Sequence, residues 1–144
     1  MNNSGVIKTS KSADLITFKL LIEGEELSSI YPVKSISVTK EVNKIPTAQV
    51  VLIDGEASSS EFKLSNEELV IPGKKIEITA GYHSDEETIF KGIIIKHNIK
   101  IRENSSQLIL ECKDEAVKMT IGRNSKYFYD SKDSAIIEKL IGDQ

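Results

Sequence analysis

Residues 107–113, with the sequence QLILECK, show the pattern that decides the fold class. Leu108, Leu110 and Cys112 stand at every second position, which buries one face of a β-strand and leaves the other in water. The same period of two recurs along the chain. It is carried by Phe18, Leu20 and Ile22; Ile36 and Val38; Ala48, Val50 and Leu52; Ile76, Ile78 and Ala80; and Ile99 and Ile101. The sequence therefore predicts a mainly β domain.

The segments between these runs carry turn chemistry. Glu23–Glu25, Asp54-Gly55 and Pro72-Gly73 each contain a glycine, which permits the backbone angles that tight turns need. Two polar runs, His83–Glu87 and Arg102–Ser106, have the composition of hairpin tips. Strands joined by short loops favour an antiparallel meander that closes as a barrel or folds as a sandwich.

Two segments depart from the β pattern. Asp114 to Met119 is typical of one helical turn with Asp114 as its cap. Residues from Asp133 to Ile141 predict a short C-terminal helix that Ser131 or Asp133 caps and Gly142 ends. The apolar face of this helix consists of Ile136, Ile137, Leu140 and Ile141.

The domain organisation is simple. Residues 1–14 are interpreted as a mobile polar leader and residues 15–144 as one domain. The chain ends directly after the C-terminal helix, which a natural domain can do but which favours the N-terminal part of a longer protein.

Composition limits the classes of partner. The 144 residues carry a net charge of −3 with an isoelectric point near 5.5, so we expect no nucleic-acid partner and no direct membrane insertion. The single cysteine, Cys112, indicates folding in a reducing cytoplasm. No secretory signal is present in the polar leader, so export would need a route without a cleaved signal peptide.

Residues able to perform chemistry are few and scattered. His83 lies in a polar hairpin tip, His97 lies on a strand without a serine or cysteine motif beside it, and Cys112 shares the core face of its strand. Glu67-Glu68 and Glu86-Glu87 lie in predicted loops and form no convincing catalytic pair. We therefore expect no enzyme activity, no cofactor and no metal site.

The remaining candidates are contact residues. Tyr127, Phe128 and Tyr129 form an aromatic run before the C-terminal helix, and Leu69-Val70-Ile71 is a short apolar stretch. Each could equally cap the core or contact another chain. Together with Ile136, Ile137 and Leu140 of the helix, the aromatic run is the predicted interface.

The order of motifs in the second half of the chain resembles a known family. The motifs are Ile71–Ile78, Gly81-Tyr82, Ile89–Ile94, Leu108–Asp114, Ala116, Lys118–Thr120, Arg123, Lys126–Phe128 and Asp133–Ile137. Together they are similar to the N-terminal hub region of VgrG proteins, the spikes of type VI secretion systems, and to their relatives in contractile phage tails. The resemblance runs from about Leu15 to the end of the chain and is most specific from Phe62 to Ile141.

The resemblance implies an antiparallel, barrel-like tail-hub domain and a structural role. It implies a homotrimer in the full-length protein, which connects the spike to the hexameric inner tube and contacts baseplate proteins and secreted effectors. It also implies assembly in the bacterial cytoplasm and export by the injection machine. In the tail-hub domain that the resemblance implies, Gly92 would let a strand bend or approach a neighbouring strand closely. The helix from Asp133 would pack its isoleucine face against the barrel or an adjacent domain.

Two other readings of the sequence remain open. The first is a ligand- or carbohydrate-binding β-sandwich, which would need an exposed aromatic platform although the chain has no tryptophan. The second is an enzyme with a scattered site, in which His83 or His97 would meet carboxylates. The second hub domain and the β-helical needle of a complete spike do not appear in these 144 residues.

Overall fold

A computed structural model describes residues 16–54, 64, 68–82, 85–101, 106–123 and 125–142. The predicted leader, residues 1–14, lies outside this range, as do residues 102–105 of the second predicted hairpin tip. The strands are β1 (Ile16–Ile22), β2 (Glu25–Glu26), β3 (Val33–Thr39), β4 (Thr47–Ile53), β5 (Lys75–Tyr82), β6 (Asp85–Lys100) and β7 (Gln107–Lys113). Two 3-10 helices, Glu68–Val70 and Glu115–Thr120, and the C-terminal helix α1 (Asp133–Gly142) complete the described elements.

The strands form one antiparallel sheet with the order β2-β1-β5-β6-β7-β4-β3. The predicted fold class, mainly antiparallel β with a short C-terminal helix, is confirmed. The sheet is not closed into a full barrel, because no described strand joins β3 to β1. The short strand β2 pairs with β1 only at Leu21 and Ile22, so the edge of β1 from Ile16 to Phe18 has no strand beside it among the described residues.

The alternating residues build a single core. Val50, Leu52, Ile78, Leu108 and Leu110 are completely buried, each on the inward face of its strand. Burying a side chain of this size contributes about 1.5–3 kcal/mol. The period of two that the sequence displays is thus the inward face of the sheet.

Strand β6 is longer than the sequence indicates, because it begins at Asp85 inside the predicted hairpin tip and continues for 16 residues. Its first part pairs with β5 and its second part, from Ile93, pairs with β7. The register shifts near Thr88 and Ile95 allow the strand to bend between these partners.

Gly92 stands where β6 changes partner. A Cβ atom there would lie 2.2 Å from the carbonyl oxygen of Lys113, so only glycine permits the two backbones to approach so closely. The predicted role of this glycine is confirmed.

Turn and cap predictions hold at three places. Glu23 and Gly24 adopt positive φ angles of 53° and 88° between β1 and β2, and Gly73 has a φ of 100° before β5. The carboxylate of Asp114 accepts a hydrogen bond of 2.9 Å from the backbone N–H of Ala116, and so caps the second 3-10 helix as expected.

Candidate interaction surface

The aromatic run that the sequence singled out lies almost entirely in solvent. Tyr127 and Tyr129 are 89% and 83% exposed, respectively. Phe128 between them is half-buried, and the ammonium group of Lys139 lies 5.9 Å from the centre of its ring. This contact connects the aromatic run to α1.

Helix α1 has no buried residue. Ile137, Leu140 and Ile141 are exposed, and Ile136 is only half-buried. The expectation that the isoleucine face packs against the sheet is therefore wrong, because none of the four apolar residues of this face is buried. Packing against another domain stays a prediction.

The segment between the sheet and α1 is held by local backbone geometry. Gly122 and Asp130 adopt positive φ angles of 87° and 45° and turn the chain at either side of the aromatic run. The hydroxyl of Ser131 donates to the carbonyl of Tyr129 at 2.9 Å. The first described helical hydrogen bond runs from the N–H of Ile136 to the carbonyl of Lys132.

We call the exposed apolar residues of this region the C-terminal surface. They are Ile121, Tyr127, Tyr129, Ile137, Leu140 and Ile141. Tyrosines that offer a large apolar ring and a hydroxyl are typical anchors of protein–protein contacts. Exposed apolar residues that form a contiguous patch mark interaction sites.

The candidate chemical residues do not come together. The Nδ1 atom of His97 lies 3.3 Å from the carbonyl oxygen of Val70, which ties β6 to the first 3-10 helix. Cys112 is buried, and loss of hydration raises the pKa of its thiol to about 12. His83 lies outside the described residues, which contain no cluster of three metal-ligating side chains.

One feature escaped the sequence analysis: an apolar groove of about 300 Å³ between the unpaired parts of β1 and β3. Its apolar lining includes Ile16, Phe18, Val33, Ile36 and Ala80. Phe18, Ile36 and Ala80 belong to the alternating runs of the sequence, which indicates burial for them. Ile16 and Phe18 are exposed instead because the sheet does not close beside them.

The open antiparallel sheet and the short C-terminal helix define a mainly β domain, and the same fold occurs in a solved structure. The crystal structure of the 43 kDa tail protein of prophage MuSo2 from Shewanella oneidensis superposes on 91% of this chain with a TM-score of 0.62 and 10% sequence identity. The match spans 40% of that tail protein. Since the identity is so low, this similarity shows the shared fold.

The family follows from the sequence match. Residues 12–144 match the family described as the Alg8 N-terminal domain, and the chain belongs to this family. No curated protein matches the chain. Among the described residues, no helix is both long enough and apolar enough to cross a membrane.

Proposed function

We propose that this chain is a structural domain of the tail hub of a contractile injection system, of the VgrG or phage-tail type. The observation that carries the proposal is the shared fold with a prophage tail protein over 91% of the chain. The order of motifs from Phe62 to Ile141 supports the same class of protein independently of that structure.

In this proposal the domain acts by assembly. The full-length protein forms a homotrimer that joins the spike to the hexameric inner tube and meets baseplate proteins and secreted effectors. The C-terminal surface serves as a contact, since Tyr127 and Tyr129 are almost fully exposed and α1 keeps its apolar face free of the sheet. The matching family is described as an N-terminal domain, which supports the interpretation of residues 15–144 as the first part of a longer chain.

The proposal includes no catalytic step. The Nδ1 atom of His97 contacts a backbone carbonyl, and the thiol of Cys112 is buried. The protein would be assembled in the bacterial cytoplasm and leave the cell with the machine.

The direct test is to find the protein in particles. A tagged copy of the natural gene is expressed in its own host, tail-like particles are purified by sedimentation, and the tag is located by electron microscopy. We expect it at one end of the tube, between tube and spike. Its absence from every sedimenting particle would contradict the proposal.

Carbohydrate binding is the second candidate, and one observation favours it. Tyr127 and Tyr129 lie two positions apart in exposed backbone, and tyrosine rings can stack on sugars. A glycan array probed with the purified chain distinguishes carbohydrate binding from the tail-hub role. The tail-hub proposal predicts that the chain binds no glycan through Tyr127 and Tyr129.

A further inference from the structure

The apolar groove continues the core of the sheet to its open side. Ile16 and Phe18 stand in the same register of β1 as buried Leu20, so their side chains belong to the inward face. Across the groove, Ile36 and Val38 belong to the inward face of β3. Yet Ile16 and Phe18 are 62% and 45% exposed, respectively. The groove is therefore a part of the interior that the described residues leave uncovered.

The backbone of β1 is unpaired along the same groove. The carbonyl of Leu20 accepts a hydrogen bond of 2.7 Å from the N–H of Leu27, on the edge that faces away from β5. Because the polar groups of successive residues in a strand point to alternate edges, those of Ile16 and Phe18 face this edge as well. No described residue forms a hydrogen bond with them there. Such an edge is a template for one further strand.

The sequence directly before β1 has the composition of such a strand. Residues 1–15, which lie outside the described range, lead into Ile16 at the groove. They contain the run Val6-Ile7-Lys8-Thr9, in which three of the four residues are β-branched and favour strands. Residues 10–15, which are mostly small or polar, suffice for the loop of a hairpin. The run can therefore reach the free edge of β1.

Other segments outside the described residues are less suited to this edge. Residues 55–63 are held at both ends, because the carboxylate of Asp54 accepts a hydrogen bond of 3.0 Å from the N–H of Leu64. Residues 102–105 join β6 to β7, and these two strands are paired with each other. The segment before Ile16 is tied to the groove at one end, so it can run back along β1.

We propose that residues 6–9 add a strand to the free edge of β1 and cover the apolar groove. The strand runs antiparallel to β1 and ends where Leu27 already occupies the edge at Leu20. It buries apolar surface and satisfies the backbone groups of Ile16 and Phe18 at the same time. The predicted mobile leader is thereby confined to residues 1–5. This closure involves a single chain and does not depend on the tail-hub role.

The side chains of the segment select its register. Ile7 opposite Phe18 directs Ile7 to the inward face, and Lys8 opposite Thr17 then points to water. A slip by one residue turns Lys8 toward the interior and Ile7 to water, which is unfavourable for both. In the selected register, residues 10–15 form the loop between the two strands.

A disulfide tests the register. Lys8→Cys and Thr17→Cys in one chain place the two thiols at opposed positions without a hydrogen bond between them, where Cα atoms lie about 4.5 Å apart and a disulfide can form. Mild oxidation should link them within a monomer, as detected by peptide mass spectrometry. Lys8→Cys with Lys100→Cys, at an exposed site at the end of β6, is the matched control and should stay reduced. Buried Cys112 should give little background. Linkage no greater than in the control would overturn the proposal.

Hydrogen exchange tests the cover. The amides of Ile16 and Phe18 should exchange slowly in the full chain and about tenfold faster in Ile7→Asp, which puts a charge at the inward position. Asn3→Asp, with the same charge outside the added strand, is the control and should change nothing. The amide of buried Leu110 should stay protected in both variants, which shows that the sheet remains folded. Fast exchange of Phe18 in the unaltered chain would overturn the proposal. So would protection that appears only at high protein concentration, as with a second copy in the groove.

Discussion

The sheet and the C-terminal segment use similar residues in opposite ways. In the sheet, leucine, isoleucine and valine at every second position are completely buried, as at Val50 and Leu110. In the segment from Ile121 to Gly142, apolar residues at helical spacing or in an aromatic run stay exposed, and α1 has no buried residue. An amphipathic pattern therefore predicts a face that can be buried, and only a partner surface decides whether it is.

This difference assigns different roles to the two regions. The sheet contributes the free energy of folding, since each completely buried aliphatic side chain contributes about 1.5–3 kcal/mol. The C-terminal segment contributes little in the single chain, because its apolar side chains remain in water. The same side chains would contribute to association with another protein.

The largest expected effect compares one leucine from each region. Leu110→Ala should lower the free energy of unfolding by about 2–5 kcal/mol, because it leaves a cavity in a fully packed core. Leu140→Ala on exposed α1 should lower it by less than about 1 kcal/mol. Urea unfolding followed by circular dichroism measures both. Similar losses for the two variants would show that α1 is packed and the comparison is wrong.

The next effect tests the bend of β6. Gly92→Ala should destabilise the chain by about 1–3 kcal/mol, because the new methyl group meets the carbonyl of Lys113 and the ring of Phe90. Gly142→Ala, at the end of α1 with no atom within 4 Å of the added Cβ, is the control and should be nearly neutral. Thermal unfolding of both variants measures the difference. An unchanged melting temperature for Gly92→Ala would mean that β6 and β7 can move apart at this position without a loss of stability.

A buried carboxylate gives a third test of the sheet. An Oδ1 atom of Asp54 accepts a hydrogen bond of 3.0 Å from the backbone N–H of Leu64, and both residues are buried. Asp54→Ala should cost about 1–3 kcal/mol, because it leaves a buried donor without this acceptor. Asp54→Asn keeps an acceptor oxygen and should cost less. Equal losses for the two variants, measured by urea unfolding, would show that this hydrogen bond is not the source of the effect.

A smaller effect depends on pH. The ion pair with Lys19 lowers the pKa of Glu86 below its ordinary value through a side-chain hydrogen bond. A carboxyl group with a lowered folded-state pKa adds stability above its ordinary pKa, and this stability is lost as pH falls through the folded-state pKa. Glu86→Gln should therefore reduce the loss of melting temperature between pH 6 and pH 3, whereas Glu138→Gln on α1 should not. Identical acid profiles for wild type and Glu86→Gln would contradict the assignment.

Strand pattern was the most predictable property of this chain. The alternation around Leu108 and Val50 identified the inward face, because the period of two is a local property of a strand. The cap at Asp114 was also predicted, because an aspartate directly before a helical turn can accept a backbone hydrogen bond, whereas the close approach at Gly92 was implied by the family resemblance.

The sequence did not predict which strand edges stay unpaired or whether the sheet closes into a barrel. The sequence of β1 contains Ile16 and Phe18 in the same register as buried Leu20, yet their exposure depends on where β3 lies in the finished sheet. The start of β6 at Asp85 was missed, because polar residues of a hairpin tip and of a protruding strand have similar composition. The sequence named Tyr127, Tyr129, Ile137 and Leu140 of the C-terminal surface as contact candidates but not Ile121, and it did not predict that α1 lies free of the sheet.

The last change, at the two exposed tyrosines, should affect stability least and assembly most. Replacing Tyr127 and Tyr129 together by serine should change the free energy of unfolding by less than about 0.5 kcal/mol, because both rings are already in water. The same double variant, made in the natural gene, should reduce the amount of protein in purified tail-like particles, since exposed tyrosines anchor protein contacts. Val42→Ser, at an equally exposed site outside the C-terminal surface, is the control and should assemble normally. Normal incorporation of the tyrosine variant would remove the aromatic run from the interface and leave α1 as the remaining candidate.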